Sequence, residues 1–337
     1  MNEPNSIGEV TLSLCMATMN RSNAIGETFA GIAAQEIGGV ELIIVDGSSD
    51  AATERVIDAW RDRLPPVRYE RCAPQGFDRD YCRAVERSRG EYCWLISDDD
   101  PWRPGAIAAV KRAIAGRPDF VVVNGDMRGP DLREPLETTM MALTEDRVFQ
   151  PGEDDALAIV ALSYLSYVGA VVVRRELWMA RRAEPYFGTD FVHVGVILQR
   201  PIERSVVVIA KPYVTLRFGV ALWKSRTFEI WMFQWPELVW SFPQISAATK
   251  QAATFAEPWR RLRKLLLMRA TGHYRRGNYE RLIARWRLGA WRRIASRLIA
   301  ELPVPIARGL ARWYLTRRGR NTGRLWWELR NAPCGEP

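Results

Sequence analysis

One apolar segment of the chain runs directly into three consecutive aspartates. Residues Tyr92–Ile96 have the composition of a buried strand, and Asp98, Asp99 and Asp100 follow after a single serine. In open α/β sheets, ligands bind at the carboxyl ends of the strands. Three adjacent like charges repel one another, and carboxylate oxygens are ligands that Mg²⁺ and Mn²⁺ prefer. The segment therefore predicts a cation and phosphate site at the edge of a sheet.

A simpler interpretation of these aspartates is helix capping. Asp100 precedes Pro101 and Pro104, and it would begin the helix that we expect over Gly105–Ala115. Capping, however, requires one carboxylate and not three. Both interpretations stay open at this point, and the number of carboxylates favours the cation site.

The N-terminal half of the chain alternates between apolar and amphipathic segments. The predicted strands are Val10–Met16, Glu41–Val45, Val67–Glu70, Tyr92–Ile96 and Phe120–Val123, and the predicted helices are Ser22–Gln35, Ala51–Arg63, Asp78–Ser88 and Gly105–Ala115. This alternation is typical of βαβ units with a mostly parallel sheet. Asp46 follows the second strand, so we expect it to lie on the same sheet edge as Asp98. There Asp46 would accept a hydrogen bond from a nucleotide base, and Asp98 would reach the ribose.

The order of several short motifs resembles that of family 2 glycosyltransferases. The motifs are Leu14–Arg21, Ile43–Asp50, Gly90–Tyr92 with Asp98–Asp100, and Pro104-Gly105. Tyr167–Arg175 resembles the strand that follows the metal site in this family. Two further segments, Gln75–Tyr81 and Gly188–Gly195, are similar to the abequosyltransferase-like branch, the second of them to its acceptor-side segment. The resemblance covers about residues 10–217.

This resemblance implies a fold and an activity. The fold is the GT-A nucleotide-binding α/β fold, with a mostly parallel central sheet flanked by helices. The implied activity is transfer of a hexosyl or deoxyhexosyl group from a nucleotide-diphosphate sugar to a saccharide acceptor, with the inversion at the anomeric carbon that the family implies. The branch builds O-antigen and other bacterial surface polysaccharides, so the acceptor would be carried on a polyprenyl diphosphate.

Carried over position by position, the resemblance also implies site residues. Nucleotide-sugar-binding positions are Thr18, Asn20, Arg21, Asp46, Arg79, Asp80 and Asp98, and the Mg²⁺ or Mn²⁺ ligands are Asp98, Asp99 and Asp100. The family usually has Asp-x-Asp-Asp, whereas Ser97 occupies the first of those positions here. The direct metal ligand among the three aspartates is therefore left open. Arg79 is equally well explained as a solvated surface charge.

The catalytic base is the position at which this sequence departs most from the family's pattern. The family usually provides it from a Glu-Asp pair after the strand that ends near Arg174, and this chain lacks that pair. Asp190 and His193 are the nearest titratable groups in the matching stretch, and we predict them as base candidates in that order. A single His among apolar neighbours is also a common core residue.

The cysteines and the apolar runs of the sequence indicate the cellular compartment of the protein. Five cysteines without C-x-x-C spacing indicate neither a disulfide framework nor a zinc site, which favours a reducing cytosol. Met1–Glu9 lacks the apolar core of a signal peptide. Ala156–Val173 contains no charge and has the length of a membrane span, but its serines, tyrosines and glycine favour a core helix followed by the strand Val168–Val173.

Charge divides the chain into two parts, which we predict as a catalytic domain over residues 1–220 and a basic helical region over residues 221–337. Residues 256–330 contain 20 Lys and Arg against four Asp and Glu, together with several Trp. From Leu282 to Ile299, apolar residues recur at helical spacing between arginines, and Pro303 and Pro305 should divide the region into two helices. This composition is typical of a helix at a membrane surface, here the cytoplasmic face of the plasma membrane. Packing on the catalytic domain is an alternative, and nucleic-acid binding is disfavoured because no recognised module accompanies the charge.

Other function classes lack their own signatures. The chain contains neither G-x-x-x-x-G-K-[ST] nor G-x-G, which argues against P-loop NTPases and dinucleotide enzymes. A sugar-phosphate nucleotidyltransferase would have a Gly-rich segment after its first strand, where this chain has Thr18-Met19-Asn20-Arg21. A non-catalytic membrane-surface protein stays open as an alternative, although it would have no need of Asp46 together with three further aspartates.

Overall fold

A computed structural model describes residues 10–220, 222–317 and 323–331. The chain divides into two compact units. The first contains residues 1–127, 138–217 and 242–249, and the second contains residues 128–137, 218–241 and 250–337. The expectations for Met1–Glu9 and Cys334 concern residues outside the described part, and the four described cysteines are free thiols.

The first unit is built on one twisted sheet. Its strands are β1 (Leu12–Thr18), β2 (Val40–Asp46), β3 (Val67–Arg71), β4 (Tyr92–Ile96) and β5 (Phe120–Arg128), then β7 (Arg147–Phe149), β8 (Val171–Arg174) and β9 (Val206–Arg217), while the short β6 (Pro135–Glu137) lies in the second unit. The order across the sheet is β3-β2-β1-β4-β8-β5-β9-β7. The predicted α/β architecture is therefore present, and each of the five predicted strands exists.

The sheet is mixed rather than mostly parallel. β3, β2, β1 and β4 run parallel to one another, whereas β8 is antiparallel to both β4 and β5. All residues of β2 and β4 are buried, as expected for strands covered on both faces. The register pairs Thr18 with Asp46 and Met16 with Ile96, so the ends of β1, β2 and β4 meet at one edge.

Helices cover the two faces of this sheet. They are α1 (Ile25–Ala33), α2 (Ala52–Trp60), α3 (Phe77–Arg87), α4 (Ala106–Ile114), α5 (Asp154–Ala161), α6 (Arg175–Met179) and α7 (Val192–Ile197). Gly76 precedes α3 with φ 94° and ψ 158°, a conformation that only glycine adopts without strain. Apolar residues of α1 and α4, such as Phe29 and Ile107, are fully buried against the sheet.

The described part of the second unit is mostly helical. The helices after residue 226 are α8 (Thr227–Glu229), α9 (Trp235–Ser241), α10 (Ala247–Ala253), α11 (Leu262–Ala270), α12 (Arg276–Asn278), α13 (Ala290–Glu301), α14 (Val304–Arg317) and α15 (Gly323–Asn331). Residues of α8, α11 and α13 pack in a small apolar core around Phe228 and Tyr274, and residues of α11, α14 and α15 pack in a second core around Ala307 and Leu315.

Two apolar runs take forms that the sequence only partly predicted. The run Ala156–Val173 divides into α5, a 3₁₀ turn at Val168–Ala170 and β8, so the predicted helix and strand are both present. The apolar series from Leu282 to Ile299 is not one helix, because a π-helical turn ends at Ile283 and α13 begins only at Ala290. Nowhere in the described ranges is there a helix with the length and apolarity needed to cross a membrane.

Candidate active site

The carboxyl ends of β1 and β4 are joined by a direct hydrogen bond. Thr18, the last residue of β1, donates its Oγ1 hydroxyl to Asp98 Oδ2 at 2.6 Å. The parallel register of β1 and β4 brings these two positions, 80 residues apart in sequence, to the same edge. The expectation that the polar turns after the strands converge on one edge is confirmed.

The three aspartates after β4 are all buried. Asp98, Asp99 and Asp100 are only 8, 7 and 5% exposed. Arg21, in the turn after β1, contacts two of them: its Nε lies 3.5 Å from Asp98 Oδ1, and its Nη2 forms an ion pair with Asp99 Oδ2. The guanidinium therefore offsets part of the negative charge of the cluster, and it comes from the end of the neighbouring parallel strand.

Asp100 has different partners. Its Oδ2 accepts the hydroxyl of Tyr167 at 2.7 Å, and its Oδ1 accepts the backbone N–H of Arg217 at 2.7 Å. The Arg217 side chain donates to the backbone carbonyl of Asp99 and pairs with Glu27. Both oxygens of Asp100 are thus engaged by the end of β9 and by the segment before β8, which makes it a structural anchor of the edge.

Burial and mutual repulsion shift the acidity of this cluster. Loss of hydration, followed by the charge of Asp99, raises the pKa of Asp98 to about 6. The same two causes raise the pKa of Asp100 well above its ordinary value. Hydrogen bonds from Thr18 and Tyr167 oppose these shifts, but they do not cancel them. A positive charge bound beside these carboxylates would lower their pKa values again, because it favours the ionised form.

The donor set of the cluster fits a hard divalent cation. Asp98 and Asp99 supply carboxylate oxygens, which Mg²⁺ and Mn²⁺ bind in preference to softer ligands. As arranged here, no three His, Cys, Asp or Glu side chains of the described residues converge on one point. The Arg21 guanidinium lies against the two carboxylates, and Asp100 is committed to Tyr167 and Arg217. Of the three predicted ligands, Asp98 and Asp99 are therefore the better suited.

A shallow groove adjoins the turn after β2. It has a volume of about 630 Å³ and is lined by Met19, Asn20, Gly47, Ser48, Ser49, Arg71, Cys72, Ala73 and Pro74. Asn20, with φ 56°, accepts the Ser49 N–H at its side-chain oxygen and donates its own N–H to Ser48 Oγ. The turns after β1 and β2 are thereby fixed to each other as the two walls of the groove.

Asp46 lies beneath this groove. Its side chain is fully buried, and its two oxygens accept the Ser48 N–H at 2.8 Å and the Tyr69 hydroxyl at 2.9 Å. Burial, followed by the hydrogen bond to the Asp46 carboxylate, raises the pKa of Tyr69. An ionised carboxylate has about four acceptor positions, so Asp46 retains capacity for a further donor.

The two polar residues predicted near the base and diphosphate lie at the beginning of α3. Asp80 Oδ1 accepts the Gln75 N–H at 3.2 Å, which stabilises the turn before the helix. Arg79 is exposed and stacks over the Phe187 ring, with Cζ 4.2 Å from the ring centroid. Phe187 directly precedes the segment that carries Asp190, so Arg79 contacts the residue before that segment as well as projecting into solvent.

Asp78, in the first turn of α3, holds the segment that carries the first base candidate. Its Oδ2 accepts the N–H groups of Gly188 and Asp190 at 2.7 and 3.0 Å, and its Oδ1 accepts that of Val192 at 2.9 Å. Asp190 itself has φ 64°, a left-handed conformation that is uncommon outside glycine. One buried carboxylate thus fixes the backbone of residues 188–192 in an otherwise unfavourable conformation.

The second base candidate is enclosed in the core. His193, on α7, is 0% exposed, and its Nε2 lies 2.9 Å from the Leu165 carbonyl oxygen. This contact requires Nε2 to carry the proton. Burial lowers the pKa of His193 to about 4, so the ring is neutral at physiological pH. Asp190, by contrast, is partly exposed.

Helix α3 connects the two parts of the site. At its beginning Asp78 holds the Asp190 segment, and one turn later Tyr81 donates its hydroxyl to the Ile96 carbonyl at 2.9 Å. Ile96 is the last residue of β4, immediately before the aspartate cluster. The helix therefore ties the position of Asp190 to the end of β4.

Comparison with known proteins agrees with this geometry. Residues 13–167 match the sequence profile described as Glycosyl transferase family 2. Residues 13–167 belong to glycosyltransferase family 2. Abequosyltransferase RfbV of Salmonella typhimurium is 27% identical over 199 residues, which are 56% of this chain and 60% of RfbV. The matched region therefore covers less than two thirds of RfbV. The similarity of this chain to an abequosyltransferase concerns that region alone.

Two solved structures show the same fold. S. aureus TarS, residues 1–349 in complex with UDP, has a TM-score of 0.52 at 13% identity, with 92% of each chain covered. The mannosyltransferase PcManGT from Pyrobaculum calidifontis, in complex with GDP-Man and Mn²⁺, has a TM-score of 0.53 at 14% identity, with 95% of this chain and 84% of the other covered. The family 2 domain thus has the predicted GT-A fold.

Sequence reasoning missed several residues of the family 2 domain's candidate site. They are Tyr69 and Arg71 beside the groove, Asp78 on α3, and Tyr167 and Arg217 on the aspartate cluster. Tyr167 could have been found from the sequence, because it is one of the few side chains with a hydroxyl in the uncharged run Ala156–Val173. Arg217 lies 117 residues from Asp100, and nothing in the local sequence indicates that contact.

The environment of His193 leads to a pH-dependent prediction. Its folded-state pKa lies below the ordinary 6.5, so the unfolded chain binds more protons between pH 6.5 and about 4. The stabilisation from keeping the ring neutral is complete above pH 6.5 and is lost as the pH falls toward 4, on the order of 3 kcal/mol. Denaturant unfolding should show a shallower pH dependence for His193→Gln than for wild type. A His193 ring that titrates by NMR between pH 6 and 8 would contradict the burial argument.

The Asp78 contacts lead to a second prediction. In Asp78→Asn an NH₂ group must face at least one backbone N–H that a carboxylate oxygen now accepts. We expect a loss of about 1–3 kcal/mol in the free energy of unfolding and faster amide exchange at residues 188–192. Asp58→Asn is the matched control, because that side chain is 59% exposed and pairs only at the surface with Arg61. Equal exchange rates in the two variants would show that Asp78 does not hold the segment.

Proposed function

We propose that the protein transfers a sugar from a nucleotide-diphosphate sugar to a hydroxyl of a saccharide acceptor during the synthesis of a bacterial surface polysaccharide. The main support for this proposal is a group of polar residues that lie together at one sheet edge of a family 2 domain. They are Thr18, Arg21, Asp46, Asp98 and Asp99. The nucleotides named with the two solved structures, UDP and GDP-Man, support a donor of this class. The likeness to RfbV supports a deoxyhexose or hexose and an O-antigen-like product.

The groove beside the turn after β2 is our proposed nucleotide site. Its Asn20, Ser48 and Ser49 offer polar contacts, and Arg71 supplies positive charge for an anionic ligand. Asp46 would accept the base N–H with its remaining acceptor capacity. Because the Asp46 side chain is buried, this contact requires the Ser48 turn to adjust when the nucleotide binds.

Asp98 and Asp99 are the proposed holders of Mg²⁺ or Mn²⁺. Such an ion supplies neutralisation of the negative charge that develops on the leaving diphosphate. Arg21 pairs with the same carboxylates, which places its guanidinium beside the proposed metal ligands. A guanidinium binds phosphate oxygens in a bidentate manner, so Arg21 is the residue that we propose for contact with the diphosphate.

Asp190 is the proposed general base. It would take the proton of the acceptor hydroxyl as the oxygen attacks the anomeric carbon and the nucleotide diphosphate leaves. A single displacement of this kind inverts the anomeric configuration. Asp78 acts as a positioning residue, because it fixes the backbone on both sides of Asp190. His193 is neutral and enclosed, so we assign it to the core of the acceptor-side segment.

We further propose that the acceptor is linked to a polyprenyl diphosphate and that the enzyme works at the cytoplasmic face of the plasma membrane. The support is the basic second unit, whose residues 256–330 hold 20 Lys and Arg against four Asp and Glu. The inner leaflet is anionic and attracts such segments. Nucleic acid is not a proposed partner.

The metal assignment predicts the behaviour of an Asp99 variant. Asp99→Asn removes one negative ligand at nearly constant volume, so Mn²⁺-dependent donor binding and turnover should fall on the order of a hundredfold. The fold should persist, because repulsion with Asp98 and Asp100 is relieved. Calorimetry with a panel of UDP-, GDP-, CDP- and dTDP-sugars, with and without Mn²⁺, measures this and also identifies the donor. Full wild-type turnover in excess EDTA would refute the metal assignment, and binding of no nucleotide sugar would refute the proposed function.

The base assignment predicts a separation between binding and chemistry. Asp190→Asn should lower kcat on the order of a hundredfold or more, while the donor Kd changes little. His193→Gln serves as the comparison, because that ring has no access to the acceptor and should affect stability more than kcat. Product NMR should show inversion at the anomeric carbon. Retained turnover in Asp190→Asn would place the base elsewhere.

A further inference from the structure

Two consecutive helices of the second unit expose apolar side chains along one side. On α13, Trp291, Ile294 and Leu298 are 62, 60 and 60% exposed. On α14, Ile306, Leu310 and Trp313 are 52, 46 and 56% exposed. Spacings of three and four residues place each trio on one helix face. We call these six side chains the outer faces of α13 and α14.

Neither outer face is needed to pack its own helix. The opposite side of α13 buries Ser296 and Ala300, and the opposite side of α14 buries Ala307, Ala311 and Leu315. Both helices contact α11 through these inner sides. Large apolar side chains that are not used for folding and cluster on a surface indicate a binding site.

The charge around the outer faces selects the kind of partner. Residues 281–317 contain nine Arg and a single Glu. Arg317 stacks over the Trp313 ring at 4.3 Å, and Arg292 lies 5.6 Å from the Trp291 ring centroid. The outer faces thus combine Trp and aliphatic side chains with adjoining guanidinium groups, which is the composition of helices that lie in the headgroup region of a bilayer.

Two other partners fit this surface less well. A second copy of the chain would bring together two segments, residues 281–317 of each copy, that each contain nine Arg and one Glu. Nucleic acid would satisfy the arginines but would leave Ile294, Leu298 and Leu310 in water, because a phosphate backbone offers no apolar surface to bury them. An anionic lipid surface satisfies both the charged and the apolar groups.

We propose that the outer faces of α13 and α14 bind an anionic lipid bilayer, with the six apolar side chains inserted at headgroup level and the adjoining arginines on lipid phosphates. This assigns membrane attachment to defined side chains and requires neither donor nor acceptor. It therefore stands or falls independently of the proposed glycosyl transfer. Because insertion buries apolar surface, high salt should release the protein only in part.

The test uses the full chain and vesicles of equal parts phosphatidylcholine and phosphatidylglycerol. The double variant Leu298→Gln/Trp313→Gln removes one large apolar group from each outer face and keeps good helix formers. It should lower the vesicle partition coefficient about tenfold or more relative to wild type. Ile159→Gln is the matched control, because Ile159 is an exposed aliphatic residue, 72% exposed, on α5 of the first unit. The control should bind vesicles like wild type.

Two further measurements separate the contributions. Arg292→Gln/Arg293→Gln should weaken binding and reduce its dependence on salt, and vesicles of phosphatidylcholine alone should bind wild type much less. Brominated lipids should quench part of the Trp fluorescence in wild type and less of it in the double variant. Thermal unfolding and nucleotide binding of each variant provide the check that fold and donor site are intact.

Specific outcomes would overturn the proposal. Equal partitioning of Leu298→Gln/Trp313→Gln and Ile159→Gln would exclude the outer faces as the attachment site. A wild-type protein that ignores anionic vesicles, but forms dimers that the double variant abolishes, would assign these faces to self-association. Tight salt-sensitive binding to duplex DNA without vesicle binding would assign the arginines to nucleic acid.

Discussion

The burial of three adjacent carboxylates is the constraint on which the rest of the catalytic edge depends. Placing Asp98, Asp99 and Asp100 out of water costs free energy unless each finds donors or positive charge. Five segments supply them: Thr18 from β1, Arg21 from the following turn, Ser97 beside the cluster, Tyr167 before β8 and the Arg217 N–H at the end of β9. Burial, followed by the remaining repulsion from Asp99, keeps the pKa of Asp98 raised. The sheet edge is consequently assembled around a buried acidic cluster.

A second carboxylate organises the acceptor side by different means. Asp78 uses backbone N–H groups alone, and three of them from residues 188–192 converge on it. Burial raises the pKa of Asp78, and these hydrogen bonds oppose the shift. Since α3 also carries Tyr81, whose hydroxyl reaches the end of β4, a displacement of this helix would move the Asp190 segment and the aspartate cluster together. The position of the proposed base relative to the aspartate cluster is thus set by α3.

The local sequence predicted the strands of this fold better than it predicted the contacts between segments that lie far apart in sequence. Apolar continuity fixed the bounds of β4 as predicted, and the aspartates were found because they follow it. Strand direction was not visible, since an apolar run such as Val171–Arg174 has the same pattern whether it pairs parallel or, as here, antiparallel. The Asp100 contacts to Tyr167 and Arg217 span 67 and 117 residues, and they arise from sheet order rather than from any motif. The sequence placed Asp190 before His193 as the base candidate but gave no physical reason for that order. The structure gives one, because His193 is fully buried whereas Asp190 is partly exposed.

Arginine occurs in opposite electrostatic settings in the two parts of the chain. At the sheet edge after β1 and β4, the Arg21 guanidinium pairs with the buried Asp98 and Asp99, so its charge is already compensated. Residues 281–317 contain nine arginines and one glutamate, so this segment has a large net positive charge near exposed apolar side chains. In the proposed function, the first arrangement would hold a phosphate-bearing donor together with a divalent ion at one defined position. In the proposed membrane attachment, the second would attract anions without selectivity, and the exposed Trp and Leu side chains would restrict binding to a surface that also has an apolar interior.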